Sequence, residues 1–278
     1  MSTSMGQQGR SDRNGARQGR ADAPLVDKKL RAQDAFSYHL AKKVARTIKK
    51  YGMIRPGDRV LAGVSGGKDS LTMLQLLHQR LGIFPNDYRL VAVHVASDLP
   101  CEGLVDPRVL ERHFASLGCE YRIIRAHIPP DPRGGPYWCA RNRRRVLFDT
   151  ASRMGCNKIA LGHHRNDVIE TVLLNMFFHG EVSAMLPRQE LFGGRMAIIR
   201  PLYAMPEGDT ARYAREHGFP AVHCRCPGEG ETRREMFKRL IGEIERSHPK
   251  GMLNALRSLE NVNLEYLPGR VVEEELRV

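Results

Sequence analysis

The chain has 278 residues, enough for one large domain or one domain with an appendage. Its hydrophobic fraction of 41% supplies a core, and the absence of any apolar run of about 18 residues argues against a membrane-spanning helix. Lys+Arg outnumber Asp+Glu by 44 to 31, a net charge of +13. Such an excess favours a polyanionic partner, nucleic acid first, because basic side chains displace counterions from phosphates. A merely soluble basic protein has the same composition.

Residues 1–26 are rich in Gly, Arg, Gln and Ser and lack the apolar stretch of a signal peptide. They read as a disordered basic tail. There are six cysteines, Cys101, Cys119, Cys139, Cys156, Cys224 and Cys226. Without an export signal they are expected to be thiols or metal ligands rather than a disulfide framework, with a cytoplasmic location as the default.

From 34 to 51 the pattern predicts a basic amphipathic helix ending at Gly52, with Lys42, Lys43, Arg46, Lys49 and Lys50 as its cations. Strands and helices then alternate. Strand-like runs fall at 58–64, 88–96, 121–128, 158–163 and 196–202, and helix-like runs near 69–81, 106–117, 139–154, 165–178 and 207–217. Continuous apolar strands alternating with helices predict an α/β fold, a parallel sheet with helices on both faces. Further helical patterns at 231–246 and 249–262 make a helical C-terminal part. The expected division is a tail (1–26), a nucleotide-binding domain with its N-terminal helix (27–222), and a C-terminal unit of cysteine loop, helices and acidic tail (223–278).

The first strand runs into "SGGKDS", residues 65–70. In open α/β sheets ligands bind beyond the C-terminal strand ends, where this turn must lie. Gly66 and Gly67 are expected to admit close backbone approach and positive φ. Ser65, Ser70 and the first amides of the next helix supply donors, and the helix dipole favours phosphate. The string is not a Walker A loop, because Ala62 stands where that pattern needs its first glycine and Asp69 follows Lys68 in place of Ser or Thr. An acid beside a phosphate cradle makes sense with a cation between them, so Asp69 is a candidate Mg²⁺ ligand. The plainer alternative is a capped strand-to-helix turn. A second turn, "GHHRND" at 162–167, follows another strand and puts His163, His164 and Asp167 at the same edge. Asp167 there opens a helix, where a carboxylate is favoured; a capped helix with two satisfied histidines is the plain alternative. In "YWCARNRRRV", residues 137–146, Arg141, Arg144 and Arg145 share one helix face while Arg143 points elsewhere. Trp138 either stacks on a base or anchors the loop before it. Cys119 and Cys156 read as small buried hydrophobes.

"SGGKDS" resembles the loop of the PP-loop ATP-pyrophosphatase superfamily, and "GHH..D" resembles the second motif of its tRNA-modifying members. "NMFFHGEVSAMLP" (175–187), "IIRPLY" (198–203) and "FPAVHC" (219–224) narrow the likeness to the tRNA 2-thiocytidine synthetase family, over roughly 35–262. The resemblance implies that Ser65, Gly66, Gly67, Lys68, Asp69 and Ser70 hold ATP, with Gly162, His163 and Asp167 completing the site. His94, Val95 and Ala96 would lie near adenine. It implies an ATP-dependent tRNA sulfurtransferase that adenylates an anticodon-loop cytidine. Sulfur bound at the open iron of a three-cysteine 4Fe–4S cluster then replaces the activated oxygen. It also implies a sulfur donor such as a cysteine desulfurase, and homodimers are common in the family.

This chain departs from the pattern in one place. The family's CxxC is here "PYWC", with Pro136 at the first cysteine and Cys139 at the second. Three readings stay open: Cys139, Cys224 and Cys226 hold a cluster; Cys139 or Cys224 carries sulfur as a persulfide; or the substrate has changed. A cluster-free PP-loop ligase or amidotransferase acting on RNA or a small molecule is the alternative function. A catalytically silent nucleotide- or RNA-binding protein is a third.

Overall fold

The computed structural model describes residues 35–79, 87–98, 105–129, 136–220 and 233–267. The expected tail, Cys101 and the Cys224–Cys226 loop lie outside the described residues. The elements in chain order are α1 (Ala35–Lys50), β1 (Arg59–Gly63), α2 (Lys68–Gln79), β2 (Arg89–Ser97), α3 (Pro107–Leu117), β3 (Glu120–Ala126), α4 (Pro136–Arg153), β4 (Lys158–Leu161), α5 (Arg165–His179), β5 (Arg188–Leu191), β6 (Met196–Ile199), α6 (Glu207–Glu216), α7 (Arg233–Ser247) and α8 (Gly251–Ser258). No helix among the described residues is long and apolar enough to cross a membrane.

The six strands form one sheet in the order β3-β2-β1-β4-β6-β5. Successive side chains along β1 alternate between its faces, as the pleat requires. Val60 and Ala62 join the larger apolar cluster with Leu40, Leu74 and Tyr213, and Leu61 joins a smaller one with Val93 and Leu147 under α4. Both faces are therefore covered, which is why the central strands read as continuous apolar runs. The expected parallel sheet with helices on both faces is present in five strands, and β5, which the strand-like runs did not include, is added at the edge antiparallel to β6. That edge hairpin closes through Phe192, Gly193 and Gly194, all at positive φ. A glycine-rich hairpin turn at 193–194 was its available signal.

The chain runs outward from β1 to β3, then crosses back through α4 to lay β4 on the other side of β1. Ligands bind at such a reversal, outside the C-terminal ends of the two strands. Here those ends are level, with Gly63 beside Leu161. At the opposite end Asp58 pins the same pair of strands: its carboxylate accepts from Asn157 Nδ2 at 2.7 Å and lies 3.4 Å from Lys158 Nζ. Helices α7 and α8 pack on α5.

The cations of α1 are less available than its sequence suggests. Lys43 pairs with Asp209 at 2.7 Å and Lys50 with Glu260 at 2.5 Å. Lys42 lies over the Tyr38 ring.

Candidate active site

The turn after β1 is held by its own serines. Ser70 Oγ donates to the Gly67 carbonyl at 2.9 Å and accepts from the Ser65 amide at 3.2 Å. Gly67 N–H donates to Ser65 Oγ at 3.3 Å. Gly66 has φ +94°, and a Cβ there would meet Val105 Cγ2 at 2.7 Å, so only glycine fits. Gly67, expected to share that conformation, is not among the glycines at positive φ.

His94 braces the turn from β2. Its Nδ1 lies 2.8 Å from the Val64 carbonyl, and since a carbonyl only accepts, Nδ1 carries the hydrogen. Burial lowers its pKa, so the ring is a neutral strut. Val95 next to it is buried, so only its backbone is available to a base.

Gly162 places the second turn directly on the first. A Cβ at this position would stand 2.9 Å from Ser70 N and 3.0 Å from Asp69 C. Behind it, His164 and Asp167 form a reciprocal cap on α5. Asp167 Oδ2 accepts from the His164 amide at 2.8 Å, and His164 Nδ1 accepts from Asp167 N–H at 3.4 Å. The expected second acid at the phosphates is thus engaged in capping. Its Nε2 faces Asp69 Oδ2 at 3.8 Å and Glu207 Oε1 at 3.9 Å.

Two residues that sequence reasoning missed complete the cradle. Lys68 Nζ bridges Asp69 Oδ2 at 2.9 Å and Glu207 Oε1 at 3.0 Å, and Thr210 Oγ1 donates to Asp69 Oδ1 at 2.6 Å. Burial by itself would lower the Lys68 pKa, but Asp69 and Glu207 outweigh it and hold the ammonium above its ordinary value. Burial opposes ionisation of Glu207, yet Lys68 and His164 keep its carboxyl below the usual range. Glu207 opens α6, where an acid looks like ordinary helix-terminus chemistry, so local pattern could not single it out.

The cation between these two carboxylates is the ammonium of Lys68 itself. No group of three or more His, Cys, Asp or Glu side chains is arranged to hold a metal ion by itself among the described residues.

Comparison with known proteins agrees with this geometry. The model of the PP-loop domain matches residues 37–224. A tRNA-cytidine(32) 2-sulfurtransferase of Geobacter sulfurreducens is 40% identical over 81% of this chain and 90% of its own length. That of Geobacter metallireducens is 37% identical over 84% of this chain and 94% of its own. The chain belongs to the PP-loop family. Among solved structures, the U34-tRNA thiolase NcsA of Methanococcus maripaludis, with its [4Fe-4S] cluster, shares the fold at TM-score 0.63 and 23% identity, over 84% of this chain and 81% of its own.

The other expected residues flank the PP-loop. Cys139 lies one turn into α4 and is 7% exposed. The helix begins at Pro136, a first-turn position that suits proline and leaves no thiol there. Arg143 does point away from its neighbours, donating from Nη2 to Ser97 Oγ at 3.2 Å and so tying α4 to the end of β2. Trp138 Nε1 donates to the Pro129 carbonyl at 2.8 Å, which favours its anchoring role. Cys119 and Cys156 are buried, and burial raises the Cys156 thiol pKa.

Burial lowers the His163 pKa to about 3, and the charges of Arg200, Arg144 and Arg234 act in the same direction. Glu170, one turn beyond Asp167, is 2% exposed. Burial and the Asp167 charge raise its pKa to about 7, against Lys238 and Arg234. In the unfolded chain it ionises near 4.5. Between these values the folded state holds the extra proton, so this group's contribution to stability falls as pH rises from 4.5 to about 7 and then levels off. Glu170→Gln keeps the shape without the charge. It is expected to stabilise the fold by up to about 3 kcal/mol at pH 8 and by little at pH 4.5, read from paired denaturant titrations.

Proposed function

We propose that this PP-loop protein is an ATP-dependent tRNA sulfurtransferase that activates O2 of an anticodon-loop cytidine, position 32 by analogy with its relatives, and replaces it by sulfur. The observation that carries the reading is the contact of the Gly162 turn with the Asp69–Ser70 backbone, which gathers Lys68, Asp69, Glu207 and His164 at one strand-end crevice.

In the first step the base oxygen attacks the α-phosphorus and pyrophosphate leaves. The loop amides and Lys68 hold the triphosphate and stabilise the charge on the departing group. Asp69 and Glu207 would hold Mg²⁺, which when bound neutralises phosphate charge. Thr210 and Lys68 fix the Asp69 carboxylate. In the second step sulfur attacks the activated carbon and the C–O bond to AMP breaks, AMP leaving with that oxygen.

Cys139, at the ligand edge of the sheet, is the described thiol suited to the sulfur-handling end. Thiolates select iron–sulfur groups, so its chemistry fits a cluster, with Cys224 and Cys226 as the other donors in place of Pro136. A 4Fe–4S cluster so held would offer an open iron to incoming sulfide. A sulfur donor such as a cysteine desulfurase, a homodimeric assembly and a cytoplasmic setting belong to the same reading.

Iron and acid-labile sulfide on anaerobically purified protein test it, beside Cys139→Ala and Cys224→Ala. Near-stoichiometric iron and sulfide are expected in the unaltered chain and a loss of both in each variant. No iron after anaerobic reconstitution removes the cluster and leaves a persulfide route.

A further inference from the structure

β2 and β3 run on together past the end of β1. Gly63, the last residue of β1, lies beside Val93, while β2 continues to Ser97 beside Ala126 of β3. The next residues on the two strands are Asp98 and His127. His127 Nδ1 is hydrogen-bonded to Asp98 Oδ2, and the Ile128 amide donates to Asp98 Oδ1 at 3.0 Å. Both carboxylate oxygens are thus engaged from the β3 side. The Ile128 amide first, and His127 after it, hold the Asp98 carboxyl below its ordinary pKa. A carboxylate only accepts, so Nδ1 carries a hydrogen and the neutral ring keeps its lone pair on Nε2. The His127 side chain is 79% exposed, so the ring is open to a ligand arriving from outside.

The pair lies at the ligand edge of the sheet, against the helix that carries Cys139. Arg143 Nη2 donates to Oγ of Ser97, the neighbour of Asp98 in the chain, at 3.2 Å. Trp138 Nε1 donates at 2.8 Å to the carbonyl of Pro129, which follows His127 and Ile128. Cys139 stands between these two tethers in sequence, so the first turns of α4 are pinned to the strand ends that bear the pair. Other imidazoles at this edge are committed. His94 Nδ1 is bound to the Val64 carbonyl, His164 caps α5, and His163 Nδ1 is sealed from solvent.

We infer that His127, oriented by Asp98, is the proton acceptor of the sulfur-transfer step. The inference rests on the sulfurtransferase reading above and supplies a group that this reading lacks. Sulfur arriving as hydrosulfide brings one proton that 2-thiocytidine does not keep. Hydrosulfide attacks C2 of the adenylated base, the C2–S bond forms, and the C2–O bond breaks with its electron pair going to AMP. The S–H proton passes to His127 Nε2, which leaves a neutral thiocarbonyl. Asp98 holds the ring in the accepting tautomer and stabilises the imidazolium that forms.

The test uses the full chain, purified anaerobically, with an anticodon stem-loop RNA, ATP and sodium sulfide. Pyrophosphate release and thiocytidine formation are timed separately in single turnovers. His127→Ala and His127→Gln are expected to slow thiocytidine formation by about 10²-fold or more while pyrophosphate release holds. Free imidazole should restore part of the rate in His127→Ala. Asp98→Asn should slow the same step by about tenfold and add nothing in the double variant with His127→Ala, as expected of groups that act as a unit. Iron content should match that of the unaltered chain in every variant. Unchanged transfer in both His127 variants overturns the proposal. So does a loss that imidazole leaves in place and to which Asp98→Asn adds in full, which would make the pair a strut. Loss of iron in His127→Ala also overturns it and gives the imidazole to a metal. Absence of pyrophosphate release in the unaltered protein sinks the sulfurtransferase reading itself, a result distinct from the others.

Discussion

Asp69→Asn is expected to lower RNA-dependent AMP formation by about 10³-fold or more, with RNA affinity and thermal stability close to those of the unaltered chain. The carboxylate is held from two sides, by Thr210 at 2.6 Å and Lys68 at 2.9 Å. Both contacts fix its position against phosphate and any cation bound there. The amide is isosteric, so packing survives, but the negative charge that would hold Mg²⁺ is gone. Loss of one preorganised donor at a developing charge costs about 10²–10³ in rate, and loss of a metal ligand adds to it. Single-turnover AMP release with saturating ATP and RNA measures the effect. A decrease of less than tenfold would remove Asp69 from the chemistry and return it to the role of a helix-capping acid.

Gly162→Ala is the second large effect. The new methyl would stand 2.9 Å from Ser70 N, 3.0 Å from Asp69 C and 3.0 Å from Ser70 Cα. All three are backbone atoms, so no rotamer relieves the clash and one of the two turns must shift. The shift lands on Asp69 and Ser70. A misplacement of about 1 Å at a reacting site costs on the order of 10²-fold. Steady-state ATP kinetics should show a fall in kcat/KM of about that size. Gly242→Ala on α7 is the matched control. Its Cβ meets only the end of Arg246 at 3.8 Å, so activity should hold and the helix gain up to about 1 kcal/mol. Equal activities for the two variants would show that the turns do not need their close approach.

Much of the site was legible because its signals are local. A strand that ends in Ser65–Gly66–Gly67 and opens a helix at Lys68 is specified within a few residues by φ, hydrogen bonding and helix-terminus chemistry. The same holds for the His164–Asp167 cap. What the cap does could not be read: its carboxylate faces its own helix terminus, while the acid at Lys68 comes from Glu207, 139 positions along the chain. Glu207 and Thr210 carry no motif, because a helix-opening acid and a threonine one turn later occur in countless surface helices. His94, set near the base by the resemblance alone, is a buried brace on Val64, a contact that no local pattern shows.

The amino-acid sequence by itself determined the alternation of strands and helices, the glycine-rich turn after β1 and the family to which the chain belongs, because periodicity, glycine placement and capping act over spans of a few residues. The tertiary structure alone decided which distant residues meet: Gly162 against Ser70, Glu207 on Lys68, and β5 antiparallel at the sheet edge. Those meetings follow from strand order and register, which are set by burying two faces of one sheet together, and no local stretch of chain encodes that choice.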